Sequence, residues 1–261
     1  MRPETRSRRI AVTGATGRVG SHVVEILTQR GHDVVPIARS EGVDVITGEG
    51  LDAALAGVDT VIDAATGPSP DEEQATAFFT TSARNVQRAG AAAGVRRIVV
   101  VSIIGIDKFH GGYNAAKLAH EQTLLEGPLP VRIVRAAQFH EFVGPLLGWT
   151  IQDGVAHVPE MRTQLVAARV VAEALADAAE EPEIQNGRIT EIAGPQPERL
   201  ADVATALFAS RGQSVEIREA RGGLLAQPGD PDATAYAEGA ALPNPGATLA
   251  GPTFEEWLKA A

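Results

Sequence analysis

Two residue types that are scarce in this chain stand four apart. Tyr occurs only at positions 113 and 236, and Lys only at 108, 117 and 259, in 261 residues. Tyr113 and Lys117 have the i, i+4 spacing that places two side chains on one face of a helix. With so few of either residue, that spacing arises by chance in about one such chain in fifty. The chemistry it suggests is proton transfer. A phenol of ordinary pKa is a poor acid–base group near neutrality until a nearby ammonium stabilises its phenolate. Ser102 ends the apolar run RIVVVS ahead of this pair. Its hydroxyl is the candidate for orienting the oxygen that takes the proton, and the three residues Tyr113, Lys117 and Ser102 form the candidate catalytic set.

A second arrangement suits phosphate. Thr13-Gly14-Ala15-Thr16-Gly17-Arg18-Val19-Gly20 lies between the apolar stretch RIAVT and a helical pattern. Gly14 can take the turn, Gly17 lets the backbone approach a pyrophosphate, and Gly20 lets helix and strand pack closely. The helix start then offers free N–H groups and a positive dipole end to the phosphates. A dinucleotide is the expected ligand, contacted by Gly14, Thr16, Gly17, Arg18, Val19 and Gly20. An NAD site usually carries Asp or Glu at the end of the second strand, bonded to the ribose 2′-OH. Here that stretch is Pro36-Ile37-Ala38-Arg39-Ser40. Arg39, helped by Ser40 and Arg18, suits a 2′-phosphate, so NADP(H) is expected ahead of NAD. Ala65, Thr66 and Gly67 follow a later strand and should line the nicotinamide side. Phe139, Phe142 and Trp149 are scarce aromatics suited to the wall of an apolar substrate pocket.

The elements that must position these residues follow from apolar periodicity. Strands are expected at 9–13, 33–38, 43–47, 60–64, 97–103 and 131–136, and helices at 18–30, 51–56, 72–93 and 113–125. This alternation of near-continuous apolar strands with helices predicts an α/β fold, a Rossmann-type doubly wound parallel sheet in the order 3-2-1-4-5-6. Residues 1–140 form the expected dinucleotide-binding domain. Residues 141–261 form a smaller substrate-covering region, which returns a seventh strand, 188–193, to the sheet. Within it helices are expected at 163–179 and 198–211, a strand at 215–218, irregular cover over 222–252, and a short closing helix with Phe254 and Trp257.

Composition narrows the function classes. The chain has no Cys, which excludes disulfides, thiol nucleophiles and Cys-ligated metals, and its formal net charge is −10. No basic cluster follows the first ten residues, so nucleic acid is not an expected partner. Neither His120-Glu121 nor His140-Glu141 completes H-E-x-x-H, and no metal site is expected. No G-x-S-x-G and no G-x-x-x-x-G-K-[ST] occurs. The longest apolar run, 98–106, is too short to span a bilayer, and MRPETRSRRI lacks an apolar signal core. A cytoplasmic protein with a small-molecule substrate is expected, with an oligomer possible and no membrane contact.

TGATGRVG, with its G-x-x-G-x-x-G spacing, resembles the short-chain dehydrogenase/reductase superfamily in its atypical or extended branches. So do VITGEGLDAALAGVDTVID, VRRIVVVSIIGID followed by YNAAK, and RITEIAGP. The likeness is strongest to the NmrA-like, NAD(P)H-binding members, and stronger before residue 140 than after. The resemblance implies that Tyr113 donates a proton as hydride arrives, that Lys117 bonds the nicotinamide ribose, and that Ser102 orients the substrate oxygen. It implies an NADP(H)-dependent oxidoreductase acting on a small carbonyl or quinone-like substrate. That family also contains redox sensors that bind cofactor without turnover, which is the rival expectation. A nucleotide-sugar epimerase or dehydratase is a third.

Overall fold

The computed structural model describes residues 7–148, 150–183, 187–220 and 231–260. The chain begins with β1 (Arg9–Thr13), α1 (Arg18–Gln29) and β2 (Asp33–Ile37), followed by α2 (Leu51–Ala54), β3 (Thr60–Asp63) and α3 (Glu72–Ala93). Next come β4 (Arg97–Ile103), α4 (Gly112–Leu125) and β5 (Val131–Ala136). The later part supplies α5 (His140–Gly148), β6 (Ile151–Gln152), β7 (Val155–Pro159), β8 (Arg162–Thr163) and α6 (Ala168–Glu180). It ends with β9 (Arg188–Ala193), β10 (Glu198–Arg199), α7 (Leu200–Ser210), β11 (Glu216–Ala220), α8 (Pro231–Ala237), β12 (Thr248–Leu249) and α9 (Phe254–Ala260).

Seven strands form the main sheet in the order β12-β9-β5-β4-β3-β1-β2. β1 runs parallel to both β2 and β3, and β3 runs parallel to β4. The register sets Thr13 level with Ile37 on one side and Asp63 on the other. The carboxyl ends of the first strands therefore finish together, which is where open α/β sheets take ligands. The doubly wound parallel sheet is as expected, and 188–193 joins it as β9.

The expected strand at 43–47 is absent, and β2 is the sheet edge. Its residues form turns instead. Gly42, Gly48 and Gly50 all sit at positive φ, between 71° and 80°. The Asp44 carboxylate accepts from the backbone N–H of Ile46 at 2.6 Å and of Thr47 at 3.4 Å. A side chain that bonds the backbone two residues on offers an alternative to a sheet ladder. Pro36 within β2 also suits an edge strand, since it has no N–H to give. Three later expectations shift as well. The helix expected at 163–179 starts at Ala168, because Thr163 pairs with Glu198 in a two-stranded ribbon and the Glu141 carboxylate receives the Ala168 N–H. The helix expected at 198–211 starts at Leu200, since Glu198 and Arg199 belong to that ribbon. Of the cover at 222–252, residues 222–230 lie outside the described residues, and the rest contains α8 and β12.

Two compact units divide the chain. The first comprises residues 1–102, 112–134 and 171–190. Its core joins Ala11, Ile37, Leu51, Val61, Ile98 and Val100 of the strands and α2 to Val86 of α3 and Leu124 of α4. The second comprises 103–111, 135–170 and 191–261. Val143, Leu147, Val158, Leu165, Leu207, Phe208 and Phe254 pack together there, beside a three-stranded sheet of β11, β7 and β6.

α3 matters most for the site, because it packs along α4 and brings Phe79 to it. Asp71 starts it, its carboxylate accepting the Gln74 N–H at 3.0 Å, and Gly94 at φ 77° stops it. Removing that cap with Asp71→Ala should cost about 1 kcal/mol in urea unfolding. A change under a few tenths would mean that packing alone fixes where α3 begins.

Candidate functional site

The loop after β1 is shaped by exclusion of side chains. Gly14 has φ +65°, and a Cβ on it would lie 2.6 Å from the Ala64 carbonyl oxygen. A Cβ on Gly20 would lie 2.1 Å from the Gly14 carbonyl oxygen. Neither position admits even alanine. Gly17 closes the turn, its N–H donating to the Gly14 carbonyl at 2.8 Å. It heads α1 with no side-chain cap and no acidic residue in the first turn. No carboxylate of the first turn neutralises the N-terminal N–H groups of α1, and Thr16 and Arg18 beside them are exposed while Val19 is buried. An uncapped helix start behind a backbone-only loop fits a pyrophosphate.

Arg39 and Ser40 open a 3₁₀ turn, Arg39–Glu41, directly after β2. Both are exposed. Neither Arg39 nor Arg18 has an ion-pair partner among the described residues. Two guanidinium groups at the carboxyl end of the sheet are therefore unspent, and no carboxylate stands at the end of β2.

Tyr113 and Lys117 both lie on α4, and the Phe79 ring touches both. It meets the Tyr113 ring edge-on at 5.6 Å, and the Lys117 Nζ stands 4.6 Å from its centroid. The Tyr113 hydroxyl is 3.0 Å from Thr66 Oγ1. Burial pushes the Tyr113 phenol up, opposed in part by the Thr66 bond. Lys117 is 5% exposed. Its ammonium donates to the Val101 carbonyl at 2.9 Å and meets His120 Nδ1 at 3.0 Å. The bonds of Lys117 thus run to β4 and to its own helix, while the phenol is bonded to the loop after β3.

Behind Lys117 lies a buried chain that sequence reasoning missed. His120 Nε2 is 3.1 Å from Asp63 Oδ2, with both side chains at 1% exposure or less. Asp63 Oδ1 accepts from the Thr13 hydroxyl at 2.5 Å and from the Ala65 N–H at 3.2 Å. Burial alone would raise the Asp63 carboxyl, but His120, the Thr13 bond and the Lys117 charge hold it at about 2. Burial lowers Lys117 to about 8 against the pull of Asp63 and Glu121. Burial, with the charge of Lys117, also lowers His120. The available signal was a charged residue ending the buried strand TVID, together with a His one turn after Lys117.

Ser102 is buried, and among the described residues its hydroxyl has no hydrogen-bond partner. It directly follows Val101, whose carbonyl holds Lys117. Ala65 is buried against Gly14, Thr66 is exposed, and a Cβ on Gly67 would meet Phe78 at 3.0 Å. Gly14, Thr66, Ser102, Tyr113 and Lys117 all belong to the first unit. Phe139 and Phe142 belong to the second, where both are half-buried and Phe139 bridges to Val166. Trp149 lies outside the described residues. No group of three or more His, Cys, Asp or Glu that could hold a metal occurs among the described residues, and no helix among them is long and apolar enough to cross a membrane.

A family model described as NAD(P)H-binding matches residues 14–182. The chain belongs to that family. The match begins at Gly14 and covers the phosphate loop, Arg39, Asp63 and the whole of α4. The resemblance read in the sequence is borne out at this level. Among curated relatives, the chain is 35% identical over 125 residues to an L-arabinose 1-dehydrogenase (NAD(P)(+)) of Haloferax volcanii, covering 44% of this chain and 48% of that protein. The chain spans about half the length of the curated relatives it matches. Solved structures share the fold. A nucleoside-diphosphate-sugar epimerase from Staphylococcus aureus superposes with a TM-score of 0.74 at 16% identity, over 96% of this chain and 99% of that one. An NADPH-dependent quinone oxidoreductase from Escherichia coli does so with a TM-score of 0.67 at 19% identity, over 96% and 98%.

Two measurements check this geometry. Gly20→Ala forces a methyl into the Gly14 carbonyl, so NAD(P)H affinity should fall at least a hundredfold in a fluorescence titration. Affinity within threefold of wild type would show that the loop does not hold the pyrophosphate. Asp63 is held below its ordinary value of 3.8. Its stabilisation is therefore complete above that pH and is lost as pH falls through about 2. In urea unfolding, the stability gap between wild type and Asp63→Asn should narrow by about 2 kcal/mol between pH 5 and pH 2. A gap that stays constant would mean the carboxylate is not specially stabilised.

Proposed function

We propose that the protein is an NADP(H)-dependent oxidoreductase that reduces a small carbonyl or quinone-like substrate. The observation that carries this reading is the single Phe79 ring packed against both Tyr113 and Lys117. It supports a proton donor and an ammonium presented together from one helix, beside the loop that suits a pyrophosphate. The L-arabinose 1-dehydrogenase relative supports the same reaction class.

The roles follow from what each side chain can do. The α1 N–H groups and Gly14, Gly17 and Gly20 take the pyrophosphate, with Thr16, Val19, Ala65 and Gly67 lining the bound dinucleotide. Arg39, Ser40 and Arg18 take the 2′-phosphate. Lys117 holds the nicotinamide ribose. When bound, the reduced nicotinamide supplies a hydride to the substrate carbon. Tyr113 gives its hydroxyl proton to the substrate oxygen, so that the C=O π bond is replaced by C–H and O–H bonds, and Tyr113 is then reprotonated from solvent. Thr66 fixes the phenol, and the unpartnered Ser102 hydroxyl is free to hold the same substrate oxygen.

One observation favours a second reading, a redox sensor that binds NAD(P)H without turnover. Burial raises the Tyr113 phenol, and the ammonium that would lower it is bonded elsewhere. A raised phenol remains protonated and can still donate, but it is a weaker acid.

Two experiments test the assignment. NADPH should bind at least tenfold more tightly than NADH, since a charge-assisted pair is worth about 1.5–3 kcal/mol. Arg39→Ala should remove most of that preference and leave NADH binding unchanged. Equal wild-type affinities in calorimetry would refute the NADP(H) assignment. Tyr113→Phe keeps the ring and loses the proton, so turnover of a simple aldehyde or ketone should fall about 10²–10⁴-fold with cofactor affinity unchanged. Full activity on such a substrate would remove Tyr113 from the mechanism.

A further inference from the structure

His120 has no part in the roles above, yet it is the residue on which Lys117 leans. We propose that His120 is a positioning residue which, backed by Asp63, fixes the Lys117 side chain and keeps it cationic inside the protein. The inference rests on the proposed function only in taking Lys117 as a cofactor-holding group.

The proton positions follow from the partners. Asp63 is ionised at any working pH, so it can only accept. Thr13 and Ala65 occupy its Oδ1, and the His120 ring occupies Oδ2 at 3.1 Å. The ring nitrogen facing that oxygen, Nε2, must carry the hydrogen. Burial and the neighbouring ammonium keep the imidazole neutral, so Nδ1 is bare and accepts from Lys117 at 3.0 Å. Phe79 locks the arrangement. Its ring stacks on the His120 imidazole at 4.9 Å with an interplanar angle of 27°, and the same ring lies beneath Lys117 Nζ.

Lys117 therefore meets three electron-rich partners: the Val101 carbonyl from β4, His120 Nδ1 from α4 and the Phe79 face from α3. Asp63 from β3 and Glu121 from α4 favour the cation, and burial opposes it. The neutral His120 passes the influence of Asp63 to Lys117 through two hydrogen bonds in a low-dielectric interior, where such bonds are strong. Without the imidazole, one ammonium N–H is left buried and unmet, which costs free energy.

The chain has three lysines, at 108, 117 and 259, so Lys117 can be followed alone by NMR of protein labelled with ¹³C at lysine Cε. In the wild type its midpoint should lie near 8. His120→Phe keeps the ring stack and removes the acceptor, and the midpoint should fall by one unit or more. The alkaline limit of NADPH affinity should move down with it. His120→Gln carries an acceptor and an N–H donor on adjacent atoms and should recover part of the shift, which a merely structural role would not require. Asp63→Asn should lower the midpoint as well, and gives the same readout if His120→Phe fails to fold. An unmoved Lys117 midpoint in a folded variant overturns the proposal, as does a Gln variant no better than Phe. The NMR reading needs neither cofactor nor turnover. A downward shift without NADPH binding would refute the proposed function alone. An unmoved midpoint with NADPH binding intact would refute the positioning role alone.

Discussion

An ionised carboxylate with 1% exposure is tolerable only if its lone pairs are met, and in this protein Asp63 is that carboxylate. Each group that meets it fixes a part of the site. The Thr13 hydroxyl ties the end of β1 to the end of β3, just before the phosphate loop turns at Gly14. The Ala65 N–H bends the chain after β3 and so delivers Thr66 to the Tyr113 hydroxyl. The His120 ring draws the middle of α4 down onto the sheet and sets Lys117 beside β4. A neutral or smaller residue at 63 would leave these three elements without a common anchor. The cost of burying the charge is offset by the bonds to Thr13, Ala65 and His120, and the same bonds order the site.

The second constraint is steric, and it lies next to the first. Gly14 comes so close to Ala64 and Ala65, and Gly20 to Gly14, that the loop is made of backbone alone. The segment Asp63–Thr66 therefore touches both parts of the candidate site. Its backbone walls the glycine loop, its carboxylate holds the His120 ring that meets Lys117, and its threonine bonds Tyr113. The carboxyl end of β3 thus borders the glycine loop and, through Thr66 and His120, reaches Tyr113 and Lys117 of α4.

The legible parts of the sequence were those whose signal is local. RIAVT followed by three glycines at fixed spacing can be read directly, because the turn, the close approach and the helix start each demand glycine within eight residues. Tyr113 and Lys117 were legible because both residue types are rare. RITEIA was legible as a late strand through its likeness, as RITEIAGP, to the late strand of the resembling family. The 43–47 strand was misread because Val43, Val45 and Ile46 look apolar, while the glycines around them and the Asp44 carboxylate dictate turns. A hairpin was overlooked at Asp153-Gly154, where both residues have positive φ and join β6 to β7, although Asp-Gly is a strong turn signal. α5 was hidden by Pro145 and two glycines in HEFVGPLLG. Asp63 and His120 stand 57 positions apart. Their partnership is purely tertiary, and nothing in either neighbourhood names the other.

Reduction of a substrate by NADPH is the central claim, and turnover is its most direct test. The purified protein would be mixed with NADPH and a panel of small aldehydes, ketones and quinones, and loss of the reduced-nicotinamide absorbance followed. The expected result is sustained oxidation with at least one acceptor, proportional to protein concentration and faster with NADPH than with NADH. Tight NADPH binding with no oxidation across the panel would contradict it and leave a cofactor sensor in its place.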